Sequence, residues 1–150
     1  MRTIKFRGKR LNDREWVYGS LLKHDKIDLA VIVNIDNIDK STIVKITTSV
    51  DPNTIGQFTG LYDKNGEEIY EGDILLWTRK NVHIEGRPLR DFADRCEIFY
   101  DDGKCAFRFK YKLDCGSCCG LLDFSDDRAD ESYIEIVGNI HDNPDLMKGD

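Results

Sequence analysis

The chain has 150 residues, 40% of them hydrophobic and 33% charged, with a formal net charge of −6, which suits one domain or two small subdomains with a real core. Residues 1–26 carry eight Lys/Arg against three Asp/Glu, and the rest is strongly acidic, so broad steering toward nucleic acid is excluded while a local basic face is not. No apolar run approaches the ~20 residues that cross a bilayer, and residues 1–10 lack the apolar stretch of a secretory signal; the expectation is a cytoplasmic protein without a membrane segment.

In chain order, residues 3–7 alternate, with Ile4 and Phe6 on one face and Lys5 and Arg7 on the other. The polar 8–13 loop leads to a strand over 16–22, which predicts an opening hairpin. Residues 29–35 and 43–48 are rich in Val, Ile and Thr and suit strands, with a polar turn over 36–41. Asp51-Pro52 suits a capped helical turn reaching about Gln57. Asp63-Lys64-Asn65-Gly66 is a hairpin turn flanked by Leu61-Tyr62 and Ile69-Tyr70. Glu71-Gly72-Asp73 turns into an apolar strand over 74–77.

Residues 80–90 show no periodicity and read as an excursion. Residues 96–100 and 105–113 flank the turn 101–104 as a second long hairpin. Cys105, Phe107, Phe109, Tyr111 and Leu113 share one face of its later strand, and Arg108, Lys110 and Lys112 share the other. Residues 114–130 read as a loop, 133–140 as the last strand, and Asn143-Pro144 as the start of a helical turn. Short strands joined by hairpins predict a mainly β protein, a β-rich α+β chain with at most short helical turns and an SH3-like barrel in the C-terminal half. The organisation expected is a single domain over 1–150, with subdomains 1–60 and 61–150.

Three segments carry a longer pattern: Ile4-Lys5-Phe6-Arg7; Val50-Asp51-Pro52-Asn53-Thr54-Ile55-Gly56-Gln57-Phe58-Thr59-Gly60-Leu61 continuing through Asp63-Lys64-Asn65-Gly66-Glu67-Glu68-Ile69-Tyr70-Glu71-Gly72-Asp73-Ile74; and Val137-Gly138-Asn139-Ile140-His141-Asp142-Asn143-Pro144. In order and spacing they resemble the YopX family of phage and prophage proteins over nearly the whole chain. The resemblance implies a bacterial host or phage setting and a β-rich fold, and it implies no activity. Physically, Gly60, Gly66 and Gly72 read as hairpin punctuation, and Gln57, Thr59 and Asp73 as side chains that bond turn backbone.

Chemistry-bearing residues are sparse. Cys115-Gly116-Ser117-Cys118-Cys119 holds a C-x-x-C bite suited to zinc, which makes Cys115, Cys118 and Cys119 metal candidates, with Cys96, Cys105, His83 or His141 as the further ligands a structural site needs. No second C-x-x-C accompanies it, and reduced thiols with Cys96 and Cys105 as small core residues is the plainer reading. His24, His83 and His141 are far apart and adjoin no recognised nucleophile. The carboxylates over 123–131 lack the order of a calcium loop and read as a solvated acidic stretch. No glycine-rich phosphate loop occurs, and no cofactor is expected.

Two functions from different classes follow. The first is a non-enzymatic binding or scaffold module working through protein partners or self-association. The alternative is a nucleic-acid-binding small β-barrel, in which Lys5, Arg7, Arg108, Lys110 and Lys112 would line one face if their strands adjoined. A metal protein or enzyme built on the cysteine loop ranks third.

Overall fold

A computed structural model describes residues 3–24, 29–34, 46–82, 90–113, 116–121 and 133–148. These form eleven strands and two single-turn 3-10 helices, Pro52–Thr54 and Pro144–Met147. The chain divides into two compact units, Met1–Gly60 and Leu61–Asp150.

The first unit is an antiparallel sheet. Its strands are β1 (Phe6–Lys9), β2 (Trp16–His24), β3 (Leu29–Asn34), β4 (Ile46–Val50) and β5 (Gly56–Tyr62), in spatial order β4-β3-β2-β1-β5. The expected opening hairpin is present, with Phe6 opposite Gly19 and Lys9 opposite Trp16. Residues 46–48 of the strand expected over 43–48 lie in β4, which continues to Val50, and residues 43–45 and the turn expected over 36–41 are outside the described residues. Alternation sends Val17 and Leu21 to one face, where Ala30, Ile32 and Val50 bury beside Ile55. Each such large aliphatic side chain contributes roughly 1.5–3 kcal/mol by leaving water. Strand β5 runs over the division between the units, and its end turns back through the 63–66 turn into β6 (Glu68–Tyr70).

The second unit is built on β7 (Asp73–Val82), β8 (Arg90–Asp101), β9 (Ala106–Leu113), β10 (Gly116–Leu121) and β11 (Tyr133–Asn139). They form one antiparallel sheet in the order β10-β9-β8-β7-β11. Its inner face carries Leu75, Cys96, Ile98, Phe109 and Ile134, with Ile69 against them and Leu61, Trp77 and Ile136 at the margin. Trp77 meets Phe109 edge to face, centroids 5.1 Å apart.

The mainly β class therefore holds, and three expectations change. The sheet of the second unit is open: among the described residues it ends at β10 on one side and β11 on the other, where an SH3-like barrel would close. Hairpin spacing is the same in an open meander and in a barrel, so the pattern alone does not separate them. Of the excursion expected over 80–90, residues 80–82 and Arg90 are strand, because β7 and β8 continue pairing as far as Val82 and Arg90, and residues 83–89 lie outside the described residues. The loop expected over 114–130 contains β10, whose glycines and cysteines carry little strand signal of their own.

Candidate functional site

The polar residues of the long central pattern fall into two hydrogen-bonded networks, one in each unit. In the first, Asp51 caps the 3-10 turn by accepting from Asn53 N (3.0 Å), while its own N–H donates to Lys9 O (2.9 Å). Thr54 Oγ1 accepts from Lys9 N at 2.9 Å and donates to Asp51 O. Arg14, held at φ 64, pairs with Asp51 at 2.7 Å. That guanidinium and the Asn53 N–H hold the Asp51 carboxyl below its ordinary value. The Asp-Pro-Asn-Thr segment thus fastens the 3-10 turn to β1, and Phe58 N donates to Lys5 O where β5 begins to pair.

The second network is centred on Asp63, which is only 8% exposed. One carboxylate oxygen accepts from Asn65 N (2.7 Å) and Glu67 N (3.0 Å), closing the turn upon itself. The other accepts from Asn65 Nδ2 and reaches across 73 residues of sequence to Ile136 N at 3.2 Å. Next door, Lys64 N donates to Ile134 O at 2.9 Å. Lys64 Nζ pairs with Glu135 at 2.7 Å and lies 4.7 Å from the Tyr133 ring centroid. The 63–66 turn is therefore docked along β11.

The adjoining turn is fixed as firmly. Asp73, 1% exposed, accepts from Tyr70 N at 2.7 Å. Gly72, at φ +82, donates to Ile98 O and accepts from Ile140 N. Glu71 accepts from Tyr100 N. After a bulge at Val137, Asn139 Oδ1 accepts from the N–H groups of His141 and Asp142, and Asn143 N donates to Asn139 O. Gly138 is where Asn143 packs: a Cβ there would lie 2.5 Å from Asn143 Oδ1.

The remaining sequence-derived candidates are spread over both units. Strand β1 pairs with β2 and β5, and β9 pairs with β8 and β10, so the two basic rows belong to different sheets. Lys5 lies 5.6 Å over Tyr18, and Arg7, 6% exposed, lies 4.5 Å over Trp16. Lys9, also buried, sits on the other side of the expected loop boundary and over the same Trp16 ring. Arg108 pairs with Asp101 at 2.6 Å and Lys110 with Glu97 at 2.9 Å. Lys112 stands opposite Ser117 in the β9–β10 ladder.

Cys118 and Cys119 are strand residues opposite Tyr111 and Lys110, and Cys115 lies outside the described residues, as does His83. Cys96 is a core residue whose thiol is pushed up to about 12, chiefly by burial, so it stays protonated at neutral pH. Cys105 differs from expectation: β9 begins at Ala106, which leaves Cys105 exposed in the turn at φ 51. The roles of Lys64, Gly138 and Asn139 went unread in the sequence. Only Asn139, with His141 and Asp142 behind it, carries the mark of an Asx turn.

These networks fall in two of the three segments that carry the family likeness, 50–74 and 137–144, the third being 4–7. A family model, YopX protein, matches residues 5–148. The chain belongs to the YopX family. A crystal structure of protein EF1440 from Enterococcus faecalis is similar, with 25% sequence identity, a TM-score of 0.61, and coverage of 98% of this chain and 99% of that one. No curated protein matches the chain. This YopX chain has, among its described residues, no helix long and apolar enough to cross a membrane and no group of three or more His, Cys, Asp or Glu placed to hold a metal ion.

Proposed function

We propose that this YopX protein is a non-enzymatic binding or scaffold module of a bacterial cell or its phage, cytoplasmic, acting through protein contacts. The observation that supports this reading is the division of labour in the second unit. Asp63, Asp73 and Asn139 of the family pattern are spent on main-chain hydrogen bonds, whereas two nearby tyrosines stay outward, Tyr62 at 55% exposed and Tyr133 at 38%, while Tyr70 is buried. Tyrosines offer large, stiff contact area with a polar tip, the chemistry enriched where proteins bind one another.

The nucleic-acid alternative draws less support. Of the cations offered for it, Lys5 and Arg7 lie over aromatic rings, and Arg108 and Lys110 stand beside carboxylates.

Cross-linking from host cells and light scattering test the two together. The expected result is a protein partner retained by the wild type and lost from Tyr62→Ala/Tyr133→Ala, with a solution mass unmoved by single- or double-stranded nucleic acid at low salt. A nucleic-acid complex that dissociates as salt rises would instead support the alternative.

A further inference from the structure

A sheet edge presents a row of N–H and C=O groups that any other strand can pair with, and proteins guard such edges. Strand β11 flanks β7 in the second unit, with Tyr133 opposite Thr78 and Ile136 opposite Leu75. The O of Ile134 and the N–H of Ile136 are taken by the 63–66 turn. A backbone N–H serves one and a side-chain carboxylate serves the other, two residues apart, the spacing at which a neighbouring strand would bond. The Lys64–Glu135 pair and the Lys64–Tyr133 contact hold the turn against the same stretch from above.

We infer that the 63–66 turn is an edge cap, in which Asp63 and Lys64 stand in for a strand on the outer side of β11 and so keep a second copy's β11 from pairing there. A second copy is the occupant this edge must be guarded against. It is present wherever the protein is, and two antiparallel copies of one edge are self-complementary about a two-fold axis. The cap works without adding a strand: one side-chain oxygen and one main-chain N–H close the two groups, and the bulge at Val137 ends the straight run beyond them.

Two variants separate the cap from the fold. Asp63→Ala removes the acceptor for Ile136 N but also loosens the turn itself. Lys64→Pro removes the donor to Ile134 O together with the Lys64–Glu135 and Lys64–Tyr133 contacts, and leaves the Asp63 carboxylate in place, at the second position of the turn, where proline is favoured. Light scattering over a concentration series is expected to show both variants, folded by circular dichroism, rising toward twice the wild-type mass. The Ile136 amide of Asp63→Ala should exchange fast when dilute and slowly when concentrated. Folded variants whose mass tracks the wild type at every concentration would overturn the inference. Loss of folding in Lys64→Pro would overturn it too, because the bond would then support the fold instead of masking an edge.

Discussion

Asp63 accepts three backbone N–H groups while nearly buried, an arrangement that favours the carboxylate over the acid. Burial acts to raise its pKa, and the N–H groups of Glu67, Ile136 and Asn65 outweigh it, holding the carboxyl below its ordinary 3.8. A group whose folded pKa is depressed adds stability that is fully present above the unfolded value and fades as pH falls through the folded one. Asp63→Asn is therefore expected to lose about 1–3 kcal/mol near neutrality, the scale of hydrogen bonds to a charged group. The gap from wild type should narrow below the ordinary carboxyl value, as protonation makes the two side chains alike. Urea titrations at pH 7 and pH 3 check this, and a gap of equal size at both would refute the assignment.

Among the elements, the end of β11 shows how closely a turn can be fitted to a strand. Gly138→Ala would push a methyl against Asn143 Oδ1 and Leu146. The expected loss is about 1–3 kcal/mol in thermal melts, typical of overpacking. Asn143→Ala in the same chain should recover part of it, because the two positions share one space. Sequence patterns gave these elements unevenly. Strands with alternating apolar residues, such as 16–22 and 105–113, were legible because one face buries and the other does not. The Asp-Lys-Asn-Gly turn was legible because its residues bond locally. Strand β10 was not, since Gly116-Ser117-Cys118-Cys119-Gly120 gains its conformation from pairing with β9 and has no periodicity of its own. The contact between Asp63 and Ile136 was hidden for the same reason: nothing near either residue points to the other. Arg7, which alternation puts on the face opposite Phe6, is buried over Trp16, because alternation gives the face of a side chain and not what covers it.

For the whole molecule, each unit has its own cluster of buried residues, Ala30, Ile32 and Val50 in one and Leu75, Ile98 and Phe109 in the other. Ile32→Ala and Ile98→Ala should each cost about 2–5 kcal/mol as buried truncations. If the two clusters are separate sources of stability, hydrogen exchange will quicken first within the unit that carries the change; uniform quickening across residues 3–148 in both variants would show one cooperative body. The family pattern, too, has an uneven hold on the chain. The 63–66 turn reaches β11 through the main chain of Ile134 and Ile136, which every residue except proline presents alike. Over generations of sequence drift, the side chains at 134 and 136 can change in kind, proline excepted, without removing the two main-chain groups those bonds use. Asp63 has no such latitude, since its grip depends on an oxygen that only its own side chain supplies at that reach. Within one pair of neighbours, the lineage can rewrite the side that offers backbone and must keep the side that offers a carboxylate.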